Sequence, residues 1–184
     1  MRSRRTRCFT VNEYDRMIEE GILSKKDNVE LINGEIVAKM SIGKKHALGV
    51  RRLVRLFGST VSDRAIVDPQ NPLVLDDSEP EPDVNLLRLC EDLYATRKPR
   101  ANDVLLLIEV ADFSLDDDRE VKGPLYARNR IAEYWIVNLI DDCLEVYRSP
   151  RTNGTWRKKL ILERGDKVEI LALPGIFFNV ADLL

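Results

Sequence analysis

Three residues have types and settings that could do chemistry: Glu109, Asp83 and Lys122. Glu109 lies in Val104-Leu105-Leu106-Leu107-Ile108-Glu109-Val110, the most apolar segment of the chain. A run of that kind needs cover on both faces, as in a central strand flanked by helices. An ionised carboxylate buried there is costly unless a cation or strong donors compensate it, and a metal ion or a lysine would serve. The alternative is that Glu109 lies at the strand's end, already in solvent. Asp83 follows Pro82 and opens a second expected strand, Val84 to Leu87, beside that of Glu109. Two carboxylates at neighbouring strand ends, with a backbone carbonyl, supply the hard oxygen ligands that Mg²⁺ prefers. Taken alone, Pro-Asp is a common turn dipeptide. Asp118, Lys122 and Tyr126 are spaced four apart and share one face if helical geometry persists. An ammonium there could hold an attacking water and offset charge developing on phosphorus. Equally, Asp118 and Lys122 could form an ordinary surface pair worth about 0.3–0.5 kcal/mol.

The elements that must position these residues follow from capping, turn and periodicity signals. Thr10-Val11-Asn12-Glu13 reads as a capping box opening a short helix, with Gly21 as a stop. Val29-Glu30-Leu31-Ile32 and Glu35-Ile36-Val37-Ala38 flank Asn33-Gly34, a strong hairpin signal because both turn residues accept positive φ. From His46 to Phe57, Val50, Leu53, Val54 and Phe57 share one helical face and Arg51, Arg52 and Arg55 the other. Strands are expected around Ala65-Ile66-Val67, at Leu73-Val74-Leu75 and at Val84 to Leu87, then a polar connector over 88–102 with at most one helical turn. Residues 116–130 are helical in pattern. Gly123 and Pro124 predict a kink or two segments, since proline removes an amide donor and clashes with the preceding turn. Tyr134 to Val137, Cys143 to Tyr147, Trp156 to Leu162 and Val168 to Leu171 complete a strand-rich C-terminal half. The sum is one α/β domain over 10–184 with a central mixed sheet, preceded by a basic, flexible tail over 1–9.

Composition narrows the function classes. With 44% hydrophobic and 33% charged residues, the 184-residue chain is globular rather than disordered. No apolar run reaches the length a membrane span requires, and the basic N-terminus runs into polar sequence with no h-region, so export is not expected. Cys8, Cys90 and Cys143 are odd in number and include no C-x-x-C pair, which argues against a disulfide framework or structural zinc and for a reducing cytoplasm. The net charge of −2 means that any nucleic acid must be met by a local patch, for which Arg51, Arg52 and Arg55 are candidates. Gly43-Lys44-Lys45 lacks the remaining residues of a phosphate loop, and no nucleophile-elbow serine occurs. Tyr134 and Trp135 read as core, and Asp116 and Asp117 suit a helix N-terminus by dipole.

Together these residues carry a resemblance. The order Glu30-Leu31-Ile32-Asn33-Gly34-Glu35, then Pro82-Asp83, then Ile108-Glu109-Val110, resembles the Uma2 (DUF820) family. So does the block Ser114…Asp118…Lys122…Tyr126-Ala127…Glu133-Tyr134-Trp135-Ile136-Val137. The likeness runs from about Thr10 to the C-terminus. It implies a restriction-endonuclease-like fold of the PD-(D/E)XK nuclease superfamily. It also implies Asp83 and Glu109 as metal ligands and catalytic residues, with Mg²⁺ or Mn²⁺ as cofactor and DNA as partner. The superfamily's lysine two residues after the acid is absent, the position being Ala111; the family's shift of that lysine to the following helix points to Lys122. Glu30 matches a further acidic position, and His46, the only histidine, resembles one that the family often has at this helix start. An exposed residue in a first helical turn would explain His46 equally well. The expectation is a metal-dependent endonuclease acting on DNA, most simply as a homodimer. Alternatives are a binding or assembly module that kept the fold and lost turnover, and hydrolysis of a small phosphoester.

Overall fold

The computed structural model describes residues 7–40, 42–61 and 63–184. Thr10 caps helix α1 (Val11–Glu19): its hydroxyl accepts from the Glu13 amide at 3.2 Å while the Glu13 carboxylate accepts from the Thr10 amide at 3.0 Å. Val11 and Tyr14 bury against Leu31 of strand β1 (Val29–Ile32). β1 pairs antiparallel with β2 (Glu35–Ala38) through a two-residue turn in which Asn33 and Gly34 take φ of 51° and 76°. The first six residues of the basic tail fall outside the described residues. Beyond them, Phe9 donates its amide to the Gly34 carbonyl at 2.8 Å, so the chain lies against the hairpin turn before α1 begins.

The main sheet has six strands in the order β3-β4-β5-β6-β7-β8. They are β3 (Ile66–Asp68), β4 (Val84–Leu87), β5 (Val104–Ala111), β6 (Glu133–Asn138), β7 (Cys143–Pro150) and β8 (Trp156–Leu162). Neighbours are antiparallel except β5 and β6, which run parallel. A parallel pair needs a crossover, here helical throughout: α3 (Leu115–Asp117), a π turn (Asp118–Lys122) and α4 (Gly123–Arg128). Every residue of β5 is buried. Leu106, Ile108 and Val110 enter the core under helix α2 (Lys44–Val61), while Leu107 and Ala111 enter the core under the crossover. Glu109 therefore projects on the crossover face.

Two expectations needed correction. Leu73-Val74-Leu75 forms no strand; it makes one bridge, from Val74 to Arg100, and its amides bond to carbonyls of Pro80, Pro99 and Ser78. The segment it faces contains Pro80 and Pro82, which have no N–H to offer a ladder. Residues near 168–171 do not join the main sheet: β9 (Lys167–Glu169) pairs with β10 (Phe177–Asn179), and α5 (Val180–Leu183) follows. β10 and α5 are three and four residues long, too short to show a period. The expected two segments do meet at Gly123-Pro124, the π turn ending at Lys122 and α4 beginning at Gly123, but the helical path is continuous across the boundary. Gly123 keeps right-handed helical angles, and its amide bonds back to the Asp118 carbonyl, a five-residue step. Pro124 thus opens α4, where a missing donor has no cost. No described helix is long and apolar enough to cross a membrane.

Candidate functional site

Strand register brings the two carboxylates together. Val84 of β4 stands opposite Ile108 of β5, so one step further Asp83 stands opposite Glu109. Directly opposed residues of an antiparallel pair share a face. Each carboxylate bonds the other strand's backbone: the Asp83 amide donates to Glu109 Oε2 at 3.2 Å, and the Val110 amide donates to Asp83 Oδ2 at 2.9 Å. His46, in the first turn of α2, places Nε2 2.9 Å from the same Asp83 oxygen; it is largely buried rather than exposed. Among the described residues Asp83 Oδ1 has only a 3.5 Å contact, from Gln70 Nε2, which arrives by extension of the β3–β4 register.

The crossover completes the site from above. Lys122 Nζ donates to Glu109 Oε1 at 3.2 Å and lies 3.9 Å from both Glu30 Oε1 and Asp118 Oδ1. Tyr126 donates its hydroxyl to Glu109 Oε1 at 2.7 Å. Four residues overshoot one α-helical turn by about 40°, so along a regular α-helix Asp118, Lys122 and Tyr126 would share one side but drift across it. The π turn is wider, and this wider turn keeps all three over β5. Asp118 is fixed by Ser114, whose hydroxyl donates to Oδ2 at 2.6 Å, and Glu30 by the Glu81 amide at 3.1 Å.

Glu109 is 2% exposed, which removes the solvent-exposed alternative. Burial pushes its carboxyl well above the usual range; Lys122 opposes the shift, while Asp83 and Asp118 add to it. Burial likewise raises the Asp118 carboxyl to about 6, against the pull of Lys122 and Ser114. Burial works against the charge on Lys122, but Glu109, Glu30, Asp118 and Asp83 more than offset it and hold the ammonium protonated. The hydrogen bond to Asp83 raises the His46 imidazole against the effect of burial. One ammonium thus serves several crowded carboxylates.

These groups floor an open cleft of 820 Å³. Nine carboxylates among the described residues line it, against Lys39, Lys122 and His46. Among the described residues, no three Asp, Glu, His or Cys side chains cluster at metal-binding spacing. Arg51, Arg52 and Arg55 are all exposed on α2, which carries five Lys or Arg residues and no acid.

The comparisons with known proteins place the chain in a family and a fold. The family model Uma2, described as "Putative restriction endonuclease", matches residues 11–181. The chain belongs to the Uma2 family. Among solved structures it is similar to a "putative nuclease belonging to DUF820" from Anabaena variabilis, with a TM-score of 0.74 and 17% identity over 95% of this chain and 97% of that one. That likeness establishes the restriction-endonuclease-like fold. No curated protein matches the chain. Within this Uma2 member, Ala111 packs fully buried on the same face as Glu109, and the ammonium beside the acid comes from the crossover instead. Gln70 escaped notice in the sequence because it lies in the aperiodic stretch Pro69-Gln70-Asn71-Pro72, where only three-dimensional register could pair it with Asp83.

Proposed function

We propose that this Uma2 chain is a Mg²⁺-dependent endonuclease, also served by Mn²⁺, that hydrolyses phosphodiester bonds in DNA. The observation that carries the proposal is Glu109, a carboxylate sealed into β5, facing Asp83 and gripped by Lys122 and Tyr126 at the floor of an open cleft. The donors fit the cofactor. Mg²⁺ keeps several waters and takes one or two carboxylates, and the surplus of negative charge around Lys122 is what a divalent cation relieves. Asp83 and Glu109 would hold it, and when bound it would supply Lewis-acid activation of water and charge stabilisation at phosphorus. His46 and the Val110 amide fix Asp83 through Oδ2, leaving Oδ1 the freer oxygen. Tyr126 and Lys122 fix Glu109 through Oε1, while Oε2 accepts from the Asp83 amide. The Lys122 ammonium, whose protonated form its carboxylate neighbours favour, is positioned to offset charge developing on a phosphate drawn into the cleft. The basic face of α2 would meet the DNA backbone, and a homodimer would present two such sites to a duplex. The unpaired cysteines suit a reducing cytoplasm.

A second proposal is a nuclease-fold binding module without turnover, favoured by the acidic lining and by the three carboxylates already within 4 Å of Lys122. Single-turnover cleavage of plasmid DNA with Mg²⁺ or Mn²⁺ separates the two. On the endonuclease proposal Lys122→Met slows cleavage roughly 10²-fold or more, while metal titration shows affinity scarcely changed. DNA bound but uncut by the unmodified protein with either metal would select the module instead.

A further inference from the structure

The acidic cleft has an apolar lip. Phe113, four residues past Glu109 in the turn leaving β5, is 79% exposed, and Ile42 is 61% exposed; both line the cleft, as does Met40. The Phe113 ring lies beside bare backbone at Gly43, where an added Cβ would meet the ring at 3.6 Å and the Asp112 carboxylate at 3.2 Å. An aromatic side chain left in solvent contributes little to folding, and here it stands at the entrance to the site rather than on a remote surface. Its surroundings limit the occupant. Asp112, Asp116 and Asp117 line the same mouth, so an anionic group is repelled there, whereas a neutral, flat group is accepted. The cations begin directly behind the lip, with Lys44 and Lys45 opening α2 ahead of Arg51, Arg52 and Arg55.

A nucleic-acid strand has both parts that this pattern asks for: a charged backbone for α2 and neutral π-faces for Phe113. We infer that Phe113, flanked by Ile42 and Gly43, stacks an unpaired nucleobase next to the scissile phosphate. The substrate class is then single-stranded DNA, or duplex interrupted by a gap, flap or mismatch, rather than continuous duplex. The inference rests on the nuclease proposal for the same cleft. A base inside a continuous duplex must first leave its stack to reach the ring, and that penalty is smallest where the base is already unpaired.

The test compares single-turnover cleavage of a continuous duplex with cleavage of the same sequence carrying a single-stranded gap, using the unmodified protein, Phe113→Ala and Phe113→Trp. The unmodified protein should prefer the gapped substrate. Phe113→Ala should weaken kcat/KM on that substrate roughly ten- to a hundredfold, mainly through KM, and leave the continuous duplex unaffected; Phe113→Trp should restore it. In the slow-cleaving Lys122→Met background, a 2-aminopurine placed in the gap should lose fluorescence on binding, before cleavage, and Phe113→Ala should abolish that quenching. Cleavage by Phe113→Ala that matches the unmodified protein on both substrates would overturn the stacking role and leave the nuclease proposal standing. So would conversion of a dimer to monomer by Phe113→Ala, which would make the lip a contact between copies. Absence of any nucleic-acid cleavage or binding by the unmodified protein would remove the nuclease proposal and this inference together.

Discussion

Glu109, Glu133 and Glu145 are buried on the three adjacent strands β5, β6 and β7, yet only the first is short of cations. Glu133 is met by Arg148, by Trp135 Nε1 at 2.9 Å and by the Leu171 amide at 2.7 Å, a tie that fastens the C-terminal segment. Glu145 is met by Arg119, by Lys159 at 2.8 Å and by the Tyr147 hydroxyl at 2.6 Å. Glu109 shares Lys122 with Glu30 and Asp118 while facing Asp83. Removing a crowded buried charge relieves desolvation and repulsion. Glu109→Gln should therefore leave the metal-free fold as stable as before or slightly more so, and should abolish the rise in melting temperature on adding Mg²⁺. Thermal melts with and without the metal check both halves. A full Mg²⁺-induced shift in the variant would mean that the cation binds elsewhere.

At the scale of elements, two contacts set the site's geometry from outside it. α2 approaches β5 closely because Gly49 has no side chain: a Cβ there would stand 2.8 Å from Val110 Cγ1. Gly49→Leu should destabilise the fold by about 1–3 kcal/mol through overpacking. Because the same helix carries His46, the variant should also weaken metal binding, which denaturant melts paired with Mg²⁺ titration would show. On the opposite face, the π turn sends Arg119 to Glu145 on β7 and Lys122 to Glu109 on β5, so one ion pair anchors the turn that aims the other. Burial disfavours the Glu145 charge, but hydrogen bonds from Arg119, Lys159, Tyr147 and Asn138 more than compensate and bring its carboxyl down to about 2. A carboxyl lower in the folded chain than in the unfolded one stabilises above the unfolded value and loses that contribution as pH falls toward the folded value. The window here runs from about 4.5 down to about 2, and the contribution at stake is on the order of 3 kcal/mol. Urea melts at pH 6 and pH 3 should show a smaller acid-induced loss for Glu145→Gln than for the unmodified chain.

Over the whole molecule the charge is nearly balanced, at −2, but it is sorted. Acids crowd the cleft, while α2 carries five exposed or partly exposed Lys and Arg residues without a counter-charge on the helix. If α2 meets the DNA backbone, replacing Arg51, Arg52 and Arg55 together with Ala should weaken binding at every DNA sequence alike. The slope of log affinity against log salt should flatten by about two to three. Fluorescence anisotropy across a salt series measures it; an unchanged slope would move the DNA to another face.

The sequence by itself determined whatever is local. Thr10 and Glu13 specify a helix start, Asn33-Gly34 specifies a hairpin and its register, and the apolar run of 104–110 specifies a doubly covered strand, because each signal is complete within a few residues. The candidates Asp83, Glu109 and Lys122 were visible too, the first two as acids on expected strands and the third through a resemblance. The sequence did not separate Glu109 from Glu133 and Glu145, since all three are acids among apolar strand residues. That distinction depends on how many cations arrive from elsewhere in the chain: Arg148 and Lys159 across strands, and Arg119 and Lys122 from the crossover. Nor did spacing foresee that Gly123-Pro124 would follow a π turn rather than a kink. The five-residue hydrogen bond accompanies a crossover that reaches β5 and β7 at once. Partners contributed by strand register and by a crossover lie far apart in the chain, and only tertiary packing sets how much charge each buried acid keeps.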